Sequence, residues 1–251
     1  MSREHSNKLN RAIALATGEL QGFAVRTDFW TVFEIAFGKS YDRVQGEELR
    51  SQWQLGEVLL PPLEIVSQQT LETALGAYSI STGKIYLSEQ FIVNSSPKDL
   101  VRVILEEYGH HVDAQVNTLD SPGDEGEIFA ALVQRDNLDA GTLEALRSEN
   151  DTAWIALTGQ KVLVEQASFS GTNGNDNITG TSGNDTISSL RGDDSVDGGE
   201  GDDLLIVDYS SNTYNDDGAG ISTYLYSNGA GGHNGNYFAY TDSNYSSYDQ
   251  V

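Results

Sequence analysis

The chain has no cysteine, one methionine, four prolines and only 14 lysine and arginine side chains in 251 residues. Without cysteine, disulfides and thiolate metal sites are excluded, which suits either a reducing cytosol or an exported protein stabilised by other means. Against those 14 basic groups stand 38 acidic ones, for a formal net charge of -24. Such a surface repels nucleic acid and anionic membranes, which bind through Lys and Arg. It attracts cations, calcium above all where the carboxylates cluster. No apolar run approaches the roughly 18 residues of a membrane span. The start, Met1-Ser2-Arg3-Glu4-His5, leads into a polar helix and not a secretory apolar segment. If the protein is exported, its address is expected elsewhere.

What is present begins as a packed domain. Residues 7–23 carry Leu9, Ile13, Leu15, Ala16 and Leu20, an approximately 3.6-residue stripe that predicts an amphipathic helix. Asp28 then introduces Phe29, Trp30, Val32, Phe33, Ile35 and Phe37, too apolar for a solvated loop and read as core. Residues 47–55 predict another helix with Trp53 inward. After Pro61-Pro62 strand character takes over: 63–66, then 77–80 and 84–88 as a hairpin around Gly83. Ser96-Pro97-Lys98-Asp99 is a helix start with Ser96 as N-cap and Asp99 completing a capping box. Residues 142–149 predict a helix, and 153–157 with 161–165 a closing hairpin.

The capped helix runs into Leu105-Glu106-Glu107-Tyr108-Gly109-His110-His111-Val112-Asp113. Glu106 and His110 stack on one helical face, and Glu107 lies one residue round. One reading is a metal site. The other is an ordinary solvated face with i,i+4 pairs, to which His111 adds little because it points about 100° away from His110. The acidic cluster Asp120-Ser121-Pro122-Gly123-Asp124-Glu125 favours the metal, since like charges near Glu106 and Glu107 are costly unless a cation sits among them.

The order of hairpin (Gly76-Ala77-Tyr78, Ile85-Tyr86-Leu87) and helix (Glu106-Glu107-Tyr108-Gly109-His110) resembles the core of the zincin metallopeptidases, whose helix carries H-E-x-x-H. The resemblance implies Glu107 as general base and His110 as a metal ligand, with Glu106 standing where the first histidine belongs. Residues Asp124 to Val133 resemble the gluzincin helix whose glutamate completes the site. That implies Glu125 as third ligand, with Glu127 the second choice and Asp113 the third. A Glu106/His110/Glu125 set is an E-E-x-x-H variant with one histidine and two carboxylates. It would hold Zn2+ or another divalent ion, makes a weaker Lewis acid, and moves preference toward manganese, magnesium or calcium. Either the chemistry is retuned toward a peptide or protein substrate, or the domain is a peptidase scaffold without its reaction.

From Gly171 the chain reads in nines: GTNGNDNIT, GTSGNDTIS, SLRGDDSVD, GGEGDDLLI. Glycine recurs at Gly174, Gly183, Gly192 and Gly201, aspartate at Asp176, Asp185, Asp194 and Asp203, and an aliphatic residue at Ile178, Ile187, Val196 and Leu205. This resembles the nonapeptide of RTX (hemolysin-type) proteins, a calcium-binding parallel β-roll. Each unit is a turn plus a short strand, and two units make one coil. Stacking therefore sets unit n against unit n+2, Asp176 near Asp194 and Asp185 near Asp203, in oxygen cages suited to calcium. Without calcium the tract behaves as a flexible linker, because four aliphatic side chains cannot offset the chain entropy. The RTX resemblance further implies an extracellular protein exported by a type I secretion apparatus through an uncleaved C-terminal signal. The Tyr-, Ser- and Gly-rich tail is expected to add strands to the roll or carry that signal. The ending at Asp249-Gln250-Val251 leaves room for a longer protein.

The expected architecture is an α+β zincin-like domain over 1–168, an all-β parallel β-roll over 169–206 and a β tail over 207–251. The expected function is that of a secreted calcium-binding protein with a metallopeptidase-like domain. The alternative is a non-catalytic, calcium-dependent secreted or surface adhesion protein on a degenerate peptidase scaffold.

Overall fold

The computed structural model describes residues 2–71, 74–136, 138–149, 151–157 and 159–167, then 169–170, 177–179, 186–189, 194–198, 204–206, 220–227, 233–240 and 245–250. The chain divides into two units, Met1–Leu138 with Leu143–Ala167, and Asp139–Thr142 with Ser168–Val251.

The first unit opens with α1 (Arg3–Ala24), α2 (Phe29–Phe37) and α3 (Arg43–Leu55), followed by β1 (Leu63–Val66), α4 (Gln68–Leu71), β2 (Gly76–Ser79), β3 (Lys84–Ser88) and α5 (Glu89–Asn94). The long α6 (Pro97–Val116), α7 (Glu125–Gln134), α8 (Ala140–Ser148), β4 (Thr152–Leu157) and β5 (Gln160–Ala167) complete the helices and the mixed sheet. The strands lie in the order β1-β3-β2-β5-β4; β1 and β3 are parallel and the remaining pairs antiparallel. Helices and a mixed sheet make this unit α+β.

Local sequence explains most of these elements. In α1 the buried face is Leu9, Ala12, Ala16, Leu20 and Phe23, while Leu15 of the expected stripe points to solvent. The phase is set by Phe23, which meets Phe29, Trp53 and Phe129 in an aromatic cluster. Trp53 is fully buried and satisfies its indole N–H by donating to the Tyr108 hydroxyl at 2.9 Å, as a buried Trp must. Asp42, not a residue nearer 47, starts α3 by accepting from the Val44 and Gln45 amides. The Ser96–Asp99 capping box at the start of α6 is formed in both directions.

Ala77, Tyr86, Ile155 and Val164 bury one sheet face with Leu71 and Ala74. On the other face Tyr78 and Glu165 turn to α6, where they meet His111 and His110. The approach of α7 to α6 needs two bare backbones. A Cβ at Gly109 would lie 2.8 Å from the Gly126 Cα, and one at Gly126 would lie 2.5 Å from His110 Nε2 and 2.7 Å from the Glu106 carbonyl. A Cβ at Gly76 would likewise stand 2.7 Å from Glu107 Oε1, so α6 rests against β2 at that point.

In the second unit β6 (Phe169–Ser170), β7 (Asn177–Thr179), β8 (Thr186–Ser188), β9 (Ser195–Asp197) and β10 (Leu204–Ile206) are three residues long or shorter. β7 pairs with β9 and β8 with β10, both in parallel. Then follow β11 (Gly220–Ser227), β12 (His233–Tyr240) and β13 (Tyr245–Gln250), an antiparallel meander whose last strand adjoins β9.

The close α6–α7 approach generates a stability prediction. Gly126→Ala is expected to destabilise the first unit by about 1–3 kcal/mol through overpacking against backbone and the His110 ring. Gly18→Ala, whose Cβ meets nothing within 4 Å, is expected to be neutral or stabilising. Urea unfolding followed by tryptophan emission separates the two, because Trp30, Trp53 and Trp154 all lie in the first unit.

Candidate metal centre

α6 does not present a solvated polar face. Glu106 is 2% exposed, Glu107 0%, His110 0% and Asp113 2%, so the competing reading of an ordinary surface is overturned. The burial follows from three neighbours: β2 at Gly76, β5 at Glu165 and α7 at Gly126.

His110 organises what surrounds it. Its Nδ1 faces Glu125 Oε1 at 2.9 Å, with Glu165 Oε2 at 3.4 Å. The pairing of Nδ1 with Glu125 orients the ring and turns Nε2 inward. Nε2 has no hydrogen-bond partner among the described residues, and its nearest acids are Asp151 Oδ2 at 3.6 Å and Asp124 Oδ1 at 3.8 Å. Ligand atoms of Glu106, His110 and Asp124 all fall within 4.8 Å of one another.

The residues expected to serve are therefore divided. Glu106 and His110 share one focus with Asp124, whereas His110 and Glu125 share another with Glu165, on the opposite ring nitrogen. Glu127 is engaged by Arg102, which also holds Asp136 at 2.6 Å. Asp113 accepts from Ser121 Oγ at 2.6 Å and from Asn117 Nδ2 at 2.7 Å. Glu107 lies against Gly76 of β2. Asp124 caps α7, accepting from the Glu127 amide at 2.7 Å, and belonged to the acidic cluster read from sequence. Asp151 and Glu165 come from the closing hairpin and carried no ligand signal, apart from a charged residue at the end of an apolar strand.

Electrostatics shows what the arrangement lacks. Burial, reinforced by Glu127, Asp124 and Glu107, holds the Glu106 carboxyl well above its ordinary range, with His110 opposing. Burial does the same to Asp124, again against His110. Burial pulls the His110 imidazole down, yet Glu125, Asp124 and Glu107 keep it well above an ordinary histidine. Glu165 is pushed up to about 8 by burial, against His110 and with Glu125, Asp120 and Asp151 adding to the rise. Without a cation the cluster keeps protons it would otherwise release. The buried Nε2 with no hydrogen-bond partner among these carboxylates fits a divalent ion, and one nitrogen among oxygens places it between zinc-like and harder ions. His111, by contrast, lies outside the cluster: burial lowers it to about 4, and its Nδ1 meets the Tyr78 hydroxyl at 3.0 Å.

In the second unit Ile187 and Val196 are buried and Ile178 and Leu205 half-buried, an inward aliphatic column. β7 pairs with β9 and β8 with β10, each two units on, the pairing a two-unit coil calls for. Asp194 is buried at the entry to β9. Gly174, Asp176, Gly183, Asp185, Gly192, Gly201 and Asp203 lie outside the described residues.

Residues 170–205 match the RTX calcium-binding nonapeptide repeat, in four copies. The RTX tract is thus a calcium-binding element. No curated protein and no solved structure matches the chain. Among the described residues no helix is long and apolar enough to cross a membrane.

The protonated cluster predicts an unusual pH dependence. Between about pH 4.5 and 8 the folded protein keeps a proton on Glu165 that the unfolded chain has released, so the stability this group contributes is lost as pH rises through that window. The raised His110 acts in the same direction. In excess chelator the melting temperature by tryptophan emission is expected to fall as pH is raised from about 5 to about 8; a flat or rising profile contradicts the protonated cluster.

Proposed function

We propose that this is a secreted calcium-binding protein whose RTX tract takes shape on calcium outside the cell, joined to a metal-holding domain on a peptidase-like scaffold. The single observation that carries the calcium role is the fourfold nonapeptide match over 170–205, supported by parallel pairing between alternate units. The proposed division is a metal-holding α+β domain over 1–168, a β-roll over 169–206 and a β tail over 207–251. Asp176, Asp185, Asp194 and Asp203, with turn carbonyls opened by Gly174, Gly183, Gly192 and Gly201, supply the oxygen ligands. Extracellular calcium modules bind at roughly 10⁻⁴–10⁻³ M, weaker than cytosolic sensors, so the tract stays unfolded during synthesis and folds after export. Export through a type I apparatus belongs to the same reading.

For the first unit the proposal is a divalent ion held by Glu106, His110 and Asp124, with Glu125 orienting the His110 ring. When bound, such an ion supplies charge neutralisation and a Lewis acid. Glu107 and His110, both fully buried, support a non-catalytic role, because a peptide has no open face on which to meet them. The rival reading, a hydrolase with Glu107 as general base, draws on the adjacency of Glu107 to Glu106 and its charge beside His110. Casein cleavage by the metal-loaded full chain, abolished in Glu107→Gln, would establish the hydrolase; no cleavage by either is the expected outcome.

The calcium role is tested on the full chain after chelation. Far-UV circular dichroism is expected to gain β signal on adding calcium over roughly 10⁻⁴–10⁻³ M and to lose it with chelator, while tryptophan emission barely changes. Asp194→Asn is expected to raise the calcium midpoint several-fold. A spectrum indifferent to calcium ends the reading.

A further inference from the structure

We propose that divalent ions reach the buried Glu106–His110–Asp124 centre through a mouth at Asp120, which sets how fast the centre fills and empties without holding the ion. This rests on the reading of that centre as metal-holding, and it assigns the entrance.

Glu106, His110 and Asp124 are all buried, and His110 Nε2 has no hydrogen-bond partner. Two sides of the centre are shut by backbone. A Cβ on Gly126 of α7 would come within 2.5 Å of Nε2, and Glu107 rests against Gly76 of β2. The side of Glu125 and Glu165 is different. There, groups of ligand atoms that lie within 4.8 Å of one another overlap in series. Asp113, Asp120 and Glu125 form the first, His110, Glu125 and Glu165 the second, and Glu106, His110 and Asp124 the third. Glu125 links the first to the second, and His110 the second to the third. Asp120 is exposed and every other member is buried.

A divalent ion does not cross apolar packing bare, because shedding water without replacement ligands is prohibitively costly. Oxygen bonds to calcium run about 2.3–2.6 Å, so one ion touches at once two atoms up to about 4.8 Å apart. Smaller ions with bonds of about 2.0–2.2 Å need side-chain shifts of about half an ångström for the same reach. Along this series an ion therefore meets its next donor before it leaves the last. Asp120 is hydrogen-bonded to Glu165, and Glu165 Oε2 lies 3.4 Å from His110 Nδ1. Asp151 Oδ2 lies 3.6 Å from Nε2, so acids of the closing hairpin flank the ring at both nitrogens and line the step round it. Asp113, held by Ser121 and Asn117, is a fixed part of the wall. At the outer end Asp120 feels the charges of Asp113 and Asp151, a field that draws cations to the mouth.

The test uses the full chain, stripped of metal and returned to enough calcium to fill the repeat. Zn2+ uptake and release are then followed in time by exchange with a chromophoric chelator. A residue on the path alters both rates by one factor and leaves their ratio alone. Asp120→Asn is accordingly expected to slow uptake and release alike, roughly 10-fold or more, at unchanged equilibrium affinity. Asp120→Lys, which sets a like charge at the mouth, is expected to slow both further. Glu57→Gln, which removes one exposed acid elsewhere on the same unit, is expected to change neither. If Asp120→Asn exchanges Zn2+ at the wild-type rate, or Glu57→Gln slows exchange as much, the entrance falls and the centre stands. Faster release with unchanged uptake makes Asp120 a ligand and overturns the proposal in the same way. Failure of the wild type to hold Zn2+ removes the metal centre itself.

Discussion

Packing Glu106, Glu107, Asp113, Asp124, Glu125 and Glu127 into an interior that also holds His110 puts much more negative than positive charge out of reach of water. Isolated buried charges are among the most expensive features a fold can carry, so the excess must be met by protons, by partners or by a cation. Arg102 meets part of it through Glu127 and Asp136, and His110 another part through Glu125. What is left over gathers around His110, where ligand atoms of Glu106 and Asp124 lie within 4.8 Å of it and of each other. The rest of the first unit reads as the framework that makes this convergence unavoidable.

That framework depends on close backbone approach. Gly109 and Gly126 let α7 sit directly on α6, and Gly76 lets α6 sit on β2. The same contacts that assemble the ligands also seal them. Beneath that packing Glu107 and His110 are both fully buried.

The RTX tract meets a similar electrostatic problem with different resources. Its strands are three residues long and its inward column is one aliphatic residue per unit, so little apolar burial opposes chain entropy and carboxylate repulsion. In the first unit, protons retained by a large core can stand in for a cation. The described part of the repeat offers only one inward aliphatic residue per unit for the same task.

The repeat was the most legible feature, since glycine, aspartate and aliphatic residues in register at a period of nine announced the pairing of alternate units seen between β7 and β9 and between β8 and β10. The helices and hairpins were legible too, because capping, Pro-Pro and alternation act within a few residues; Leu15 departed from its stripe only because the aromatic cluster chose the phase of α1. In the candidate centre, the local spacing of Glu106 and His110 was enough to place them on one face. Which acid joins them was not a local question. Glu125, Glu127 and Asp113 are each held by a partner distant in sequence or by a turn that only the folded chain forms, while Asp124, capping α7, and Asp151 face Nε2 at 3.8 and 3.6 Å. Periodicity and caps are short-range physics and can be read from the string of residues. The division of a buried charge cluster among its neighbours depends on distances of a few ångströms between segments far apart along the chain, and only the tertiary structure sets those.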